Sequence, residues 1–199
     1  MAAPAAEANG INPQRDGDEI MSPNRICIIL LAVLILAVPV CGAKPENIVM
    51  GPYRTSFDMG DIGLYTINLK PPSESENFQG TSYACYKAMI NGTFPLKVII
   101  EIQDFSTPMG NNAEETIRDA FNLLSYTCGE PMIINRTIDS KPAVLGSASC
   151  LAYGINLFCY PLNYYPKDNT ATSVVIVVSN YPWDGGTSAL VKTIHVEKA

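Results

Sequence analysis

The chain of 199 residues is 47% hydrophobic and 16% charged, and its formal net charge is −6. This composition is too apolar for a disordered protein, and no basic stripe of the kind that binds nucleic acid is present. From Lys44 onward the chain has 11 basic and 15 acidic residues, without a polybasic segment for anionic lipid. We therefore expect no nucleic acid among its partners.

Residues 21–43 have the organisation of an export signal. Arg25 precedes a continuous apolar run, Ile26 to Val40, and two small residues follow shortly after it. A basic start, an apolar middle and a small-residue exit are typical of a secretory signal peptide. The acidic residues 1–20 are interpreted as a disordered extension or a misassigned start.

Two alternatives to cleavage remain open. Residues 26–43, as a helix about 27 Å long, would reach the lower limit for a single N-terminal membrane anchor. A lipid-modified Cys41 is the other, although Val40 stands where a lipobox has a small residue. We expect residues 44–199 to form one extracytoplasmic domain, with the membrane as a partner if the segment stays uncleaved.

The domain is predicted to be mostly strand. Period-two alternation, Gly/Asn turns and a nearly continuous β-branched run at 172–182 indicate strands separated by short turns. A polar loop rich in Pro and Ser is predicted at 70–80. The strand segments are 48–59, 63–69, 81–90, 94–105, 131–138, 142–153, 155–165 and 172–182.

Two helices are predicted beside the strands. The first begins after Asn112, a good N-cap, and ends at Gly129, with apolar residues repeating on one face. The second covers about Thr187 to Ile194. The predicted class is α+β: an antiparallel sheet of about six to eight strands, with the mid-chain helix and the short C-terminal helix packed on it.

Four cysteines remain beyond the export segment, and an even number in an exported domain predicts two disulfides. Gly154 is predicted to begin a two-residue type II′ turn, which would place Cys150 directly opposite Cys159. Such a pair approaches closely enough to be bridged. By elimination, Cys85 is predicted to join Cys128. Metal or redox chemistry is the less favoured interpretation, because the chain has no CxxC and a single histidine.

Chemistry-bearing residues are few. His195 is the only histidine, so any Ser-His-Asp arrangement must use it. Glu101 and Asp104 follow an apolar strand and are candidates for paired acids in glycoside hydrolysis. Gly185-Gly186 before the last helix offers backbone N–H groups to an anion, but helix capping explains it equally well.

An aromatic group near the C-terminus is the candidate ligand surface, for a glycan or a protein. Tyrosine and tryptophan are frequent at such surfaces, although cross-strand packing is the simpler interpretation. The residues are Tyr160, Tyr164, Tyr165, Tyr181 and Trp183.

Two acceptor sequons mark candidate glycosylation sites. Asn91-Gly92-Thr93 lies at a predicted turn, and Asn135-Arg136-Thr137 lies near a strand end. Both are consistent with an exported surface.

The two ends of the domain carry a resemblance. The stretches MGPYRTSFDMG (50–60) and SNYPWDGGTSALVKTIHVEK (179–198) resemble short exported archaeal proteins of uncharacterised function, with a GPYxxSFD opening and a YPWDxGTxxLxxTIHVE ending. That resemblance implies export and no particular activity. The order of strands, helix, strands and final helix is also loosely similar to the PsbP-like α/β sandwich, which concerns the fold alone.

Together these observations predict an exported, disulfide-stapled, non-enzymatic domain that needs no cofactor or metal. Its expected role is binding or a cell-envelope function, with an envelope protein or a glycan as partner. A secreted hydrolase that uses carboxylates or His195 is the alternative.

Overall fold

The structure, a computed structural model, describes residues 45–60, 63–76, 80–93, 97–123, 128–151, 154–180 and 187–199. All of them fall within one compact unit, Val40–Ala199. The strands in these residues are β1 Pro45–Met50, β2 Tyr53–Asp58, β3 Tyr65–Leu69, β4 Ser73–Glu76, β5 Ser82–Gly92, β6 Lys97–Gly110, β7 Met132–Ile138, β8 Lys141–Ser149, β9 Gly154–Pro161, β10 Tyr164–Tyr165, β11 Thr170–Ser179 and β12 His195–Lys198. The two helices are α1 Ala113–Leu123 and α2 Ser188–Thr193.

The strands form two antiparallel sheets. The small sheet has the order β1-β2-β12, so the two ends of the domain pair with each other. The large sheet has the order β3-β5-β6-β11-β9-β8-β7, with β4 also pairing with β5 and β10 with β11. The β-branched run of β11 lies near the centre of this sheet, between β6 and β9, as its composition predicts.

The main core lies between the two sheets. In β2, Tyr53, Thr55 and Phe57 are buried, while the residues between them are exposed or half-buried, because a strand points alternate side chains to opposite faces. They meet the matching face of the large sheet, which includes Phe158 and Val175. A side chain is excluded at Gly51, whose φ is +58° and whose Cβ would lie 2.1 Å from the ring of Tyr86.

A second buried cluster lies on the opposite face of the large sheet, under α1. Ile117 and Phe121 of the helix belong to it together with Val144 and Leu157 of the sheet. Gly146 makes this approach feasible, because a Cβ there would lie 2.5 Å from Cγ2 of Ile117 and 2.9 Å from Cε2 of Phe121. The helix therefore contacts the sheet closely along this one flank.

The prediction of an antiparallel sheet is confirmed, but the α+β class overstates the helices. The fold is β-rich, with one helix of 11 residues and one of 6 in the described chain. The prediction of six to eight strands was too low, since twelve occur in the described residues. Short β4 forms inside the predicted 70–80 loop because it pairs with β5, the strand that directly follows it. Strand β12 forms after the last helix because it pairs with β2 near the start of the domain.

The predicted pairing of Cys150 with Cys159 was wrong. Ser149 pairs with Gly154, so Gly154 is a strand residue rather than the first residue of a two-residue turn. This longer connection shifts the register, and Cys159 lies opposite Val144 instead. Cys159 therefore lies opposite a position on β8 that is six residues before Cys150, and the two cysteines are separated.

The disulfide of the described chain joins Cys128 to Cys150, so the predicted Cys85–Cys128 link was also wrong. The two residues form an isolated antiparallel bridge with a Cα–Cα distance of 4.0 Å. Cys85 and Cys159 are free and buried. They lie on β5 and β9, three strand spacings apart, or about 14 Å, which is too far for a disulfide.

Candidate functional site

The predicted aromatic surface does not form as one group. Tyr160 is fully buried in the main core, and burial raises the pKa of its phenol well above the ordinary value. Tyr164 and Tyr165 form β10, where Tyr165 is half exposed and the hydroxyl of Tyr164 lies 3.0 Å from Oδ1 of Asn169. The other two members, 181 and 183, lie outside the described residues. Tyr160 was therefore wrongly placed at a surface.

The candidate hydrolytic acids lie apart from each other. Glu101 and Asp104 are three positions apart on β6, so strand alternation directs them to opposite faces of the large sheet. Asp104 accepts a hydrogen bond of 2.9 Å from Ser173, whose hydroxyl is also 2.9 Å from that of Tyr53 in the main core. Glu101 lies on the face below α1. The arrangement does not support a pair of acids flanking one bond.

Glu101 is moreover held in an ion pair. Lys87 lies 2.7 Å from Oε2 of Glu101, and the amide of Gln103 donates to Oε1 at 2.9 Å. Burial lowers the pKa of Lys87, but the hydrogen bond and charge of Glu101 outweigh it, and the net pKa is raised. Both carboxylate oxygens are therefore engaged, and the ammonium stays charged.

His195 lies in β12, where its side chain is 54% exposed. Its Nδ1 lies 2.6 Å from Oδ1 of Asp139, at the tip of the β7–β8 turn. The other oxygen of Asp139 accepts hydrogen bonds from Lys141 at 2.7 Å and from the backbone N–H of Val196 at 3.2 Å. These contacts connect the turn to β12. His195 and Asp139 therefore have a structural role, because they link the small sheet to the large sheet.

A cleft of about 450 Å³ lies between α1 and the large sheet. Its floor is the sheet face formed by β6, β9 and β11, and includes Leu157, Val174 and Ile176. The volume is within the range of about 300–1,000 Å³ that small-molecule sites occupy. This cleft is the concave feature of the described chain best suited to a ligand.

The cleft exists because of the side chains on one flank of α1. Ala113, Thr116 and Ala120 recur at helical spacing and line the cleft, while Ile117 and Phe121 point to the sheet beside it. The short side chains leave space between the helix and the sheet, whereas the large side chains fill the space between the helix and the sheet on the other flank. The helix therefore packs against the sheet on one flank and lies above the cleft on the other.

One end of the cleft is aromatic. The rings of Tyr83 on β5 and Phe105 on β6 are direct cross-strand partners, with centroids 5.5 Å apart. Both line the cleft, and Phe105 is 8% exposed. Paired rings of this kind offer a rigid apolar wall to a ligand.

The floor also contains the free thiol of Cys159, which is 1% exposed. Burial raises the pKa of Cys159 to about 12, so the thiol stays protonated at neutral pH. The thiolate is the reactive form of cysteine, and a thiol with this pKa is a poor nucleophile. Cys159 therefore packs within the floor and contributes no chemistry.

The margin of the cleft is acidic. Glu76 and Glu115 are exposed and Asp119 is half-buried, and all three line it. Among the described lining residues there is no lysine, arginine or histidine. The cleft therefore combines an apolar floor with a negatively charged entrance.

The two candidate glycosylation positions are both described. Asn135 is exposed on β7, and Asn91 is half-buried near the end of β5. Neither sequon has been tested by these observations, so both stay predictions.

The described residues contain no group of three or more His, Cys, Asp or Glu side chains that could hold a metal ion. Within the same residues, no helix is both long and apolar enough to cross a membrane. The predicted export segment, 26–43, lies outside them. The Cys128–Cys150 disulfide is compatible with an extracellular domain.

No family model, curated protein or solved structure matches the chain. The resemblance of its two ends to exported archaeal proteins, and the fold analogy with PsbP, accordingly stay predictions.

Sequence reasoning missed the cleft. Its members come from β5, β6, α1, β9 and β11, and their sequence positions do not show that these elements converge. A partial signal was available in Ala113, Thr116 and Ala120, since small residues on the sheet-facing flank of a helix leave room beneath it.

Proposed function

We propose that the protein is an extracytoplasmic binding domain that holds a small ligand in the cleft between α1 and the large sheet. The observation that carries this proposal is the cleft itself, with its volume of about 450 Å³, its apolar floor and its aromatic end. A concave, mostly apolar site with a few polar groups is the usual form of a small-molecule site.

The compartment is supported by two independent features. Residues 21–43 have the pattern of an export signal, and the described domain contains an intramolecular disulfide. Disulfides persist in oxidising compartments and are rare in the cytosol. We propose that the domain acts outside the cytoplasm, either released after cleavage or tethered through residues 26–43, where an envelope protein or a glycan remains a proposed partner.

The proposal is for binding rather than catalysis. In the described cleft, the thiol of Cys159 stays protonated and the carboxylate of Glu101 is paired with Lys87. His195 is on another element and is engaged by Asp139. A nucleophile and its base within hydrogen-bond reach, the usual requirement for covalent catalysis, are not brought together by these groups.

The test is an NMR titration of the isotopically labelled, exported protein with the neutral probe 2-naphthalenemethanol. We expect shifts of amide signals from α1, β6 and β11 that saturate with probe concentration. In Ala120→Phe, which adds a ring over the floor, binding should weaken at least tenfold. The matched control is Tyr164→Ala, on the exposed β10, which should leave binding unchanged. Saturable shifts centred on β10, and lost in Tyr164→Ala, would instead favour the aromatic surface.

A further inference from the structure

We infer that the ligand of the cleft is a small organic amine, an ammonium group attached to an apolar body. This inference rests on the proposed function and adds the chemical class of the ligand. The apolar body would lie on the sheet floor, and the ammonium would lie at the acidic margin.

Among the described residues, the carboxylates at the margin differ from the other acids nearby in having no ion-pair partner. Glu101 is paired with Lys87, and Glu114 is paired with Arg118 at 2.8 Å. For Glu76, Glu115 and Asp119, the described part of the chain provides no ion pair or hydrogen bond. Three uncompensated negative charges around one opening favour a cation there and disfavour an anion.

The floor supplies the second, independent requirement. Val174 and Ile176 are half-buried and offer apolar surface, and Leu157 and Cys159 are buried in the same floor. A sugar would leave its hydroxyl groups without partners on such a floor, which is costly. An apolar body covers it without that cost.

The two parts of the site lie close enough for one small molecule. Asp119 is on the same helix as Ala120 and Thr116, which overhang the floor. Glu76 pairs with Ser82, the residue before Tyr83, and lines the cleft together with Tyr83. A volume of about 450 Å³ admits a two-ring amine but not a folded protein segment.

The test uses three probes with one skeleton and different charges: 2-naphthylmethylamine, 2-naphthalenemethanol and 2-naphthoate. Affinities for the exported protein, produced from the full sequence, are measured by calorimetry at pH 7 and low ionic strength. We expect the amine to bind about tenfold tighter than the alcohol, since three exposed ion pairs of ordinary strength amount to about that factor. The carboxylate should bind more weakly than the alcohol.

Two triple variants, each with two Glu→Gln changes and one Asp→Asn change, distinguish the effect of charges at the cleft from the effect of the net charge of the protein. In Glu76→Gln/Glu115→Gln/Asp119→Asn, the preference for the amine over the alcohol should fall to about twofold or less. In the control, Glu74→Gln/Glu130→Gln/Asp168→Asn, three exposed acids outside the cleft are neutralised, and the preference should persist. Raising the ionic strength to about 1 M should reduce the preference in the unmodified protein, because the charges are exposed.

The outcomes distinguish this inference from the proposal on which it rests. The alcohol could bind with an affinity that Ala120→Phe weakens, while the amine binds no tighter than the alcohol. That result would overturn the amine inference and leave the binding function standing. If none of the three probes binds, the proposed function fails as well. An equal loss of preference in both triple variants would show a general effect of net charge and would overturn the inference.

Discussion

Nδ1 of His195 lies 2.6 Å from Oδ1 of Asp139, although 56 positions separate them in the chain. Asp139 and Ser140 form the two-residue turn between β7 and β8, and both have positive φ, 51° and 59°, as a type I′ turn requires. The tip of the large sheet thereby holds β12, the last strand of the small one. The single histidine therefore has a structural role, and we expect the loss of its contact with Asp139 to lower the stability of the protein.

Replacing Asp139 with Asn should lower the free energy of unfolding by about 1–3 kcal/mol at pH 7, because the substitution removes the negative charge and one of the two oxygens that accept hydrogen bonds from His195, Lys141 and Val196. Asn tolerates positive φ, so the turn itself is kept. The measurement is denaturant unfolding, with the exposed Glu130→Gln as control.

The pH dependence of this difference has a defined sign. Burial pushes the pKa of Asp139 up, but the hydrogen bonds from Lys141, His195 and Val196 outweigh it, and the net pKa lies below the ordinary 3.8. The stabilisation is therefore present above about pH 4 and is lost as the pH falls through the lower, folded-state value. A gap between the unmodified protein and Asp139→Asn that stays constant down to pH 2 would contradict this account.

Gly146 is expected to be intolerant of even a methyl group. Its Cβ would lie 2.5 Å from Ile117 and 2.9 Å from Phe121, so Gly146→Ala should destabilise the protein by about 1–3 kcal/mol and loosen α1. Hydrogen exchange of the α1 amides is the measurement. Gly63→Ala, where a Cβ meets nothing within 4 Å, is the control. Ile117→Ala removes the Cγ2 methyl that the new Cβ would meet, so it should cost less stability in the Gly146→Ala background than in the unmodified protein. Equal effects at Gly146 and Gly63 would show that the helix does not pack here as described.

The disulfide is expected to stabilise the protein through its 22-residue separation, by about 3 kcal/mol in the loop-entropy description. Cys128→Ser/Cys150→Ser should lose about this amount in equilibrium unfolding. Peptide mapping without reduction should give one Cys128–Cys150 linked peptide, and Cys85 and Cys159 should be alkylated only after unfolding. A Cys150–Cys159 linked peptide would contradict the described register.

Tyr53 is expected to contribute through its hydroxyl as well as its ring. Tyr53→Phe removes the 2.9 Å contact with Ser173 and should cost about 1 kcal/mol at neutral pH. Tyr164→Phe, whose hydroxyl bonds Asn169 at the surface, is the control and should cost less.

The dependence of stability on pH above about pH 10 provides a second test of the role of Tyr53. Burial raises the pKa of Tyr53 to about 12, from an ordinary value of 10.0. The hydrogen bond with Ser173 lowers this pKa in part, whereas Asp104 raises it. Its protonated form is therefore favoured by folding, and that stability is lost as the pH rises from about 10 to about 12. Tyr53→Phe lacks this loss, so its deficit should shrink over that interval. A deficit that grows there would be the opposite of the expected result.

The two terminal motifs acquire a shared structural explanation. Residues of the first, Tyr53 to Asp58, form β2, and residues of the second, His195 to Lys198, form β12 beside it. Ser56 lies opposite His195, and Thr193 accepts a hydrogen bond of 2.8 Å from the backbone of Asp58. The described residues of the two motifs that lie in β2 and β12 therefore build the small sheet and part of the core beneath it, which is a structural role and not evidence of an activity.

Local pattern was enough to predict the strands and helices that depend mainly on their own residues. The alternation in β5 and β6 and the apolar face of α1, with Ile117 and Phe121, predicted their type correctly. It was not enough where a strand depends on its partner. Strands β4 and β12 have weak patterns of their own, and they form because β5, the next strand, and β2, a distant one, are available to pair with them.

The cysteine prediction failed for a similar reason. A two-residue turn at Gly154 was inferred from one glycine, but the register of a hairpin depends on the length of its connection. Because Ser149 pairs with Gly154, Cys150 lies beyond the end of the β8–β9 ladder, where Cys128 is its partner. Only the small residues Ala113 and Ala120 gave a local signal for the cleft, since its formation depends on how α1 is placed over β6 and β11.

The most direct measurement is a crystal structure of the exported protein with 6-bromo-2-naphthalenemethanol, located by the anomalous scattering of bromine. The account predicts one strong peak in the cleft, between Ala120 of α1 and Val174 of the floor, that is absent from crystals of Ala120→Phe. A peak that persists in Ala120→Phe, or one located at β10 instead, would contradict the assignment of the cleft as the binding site.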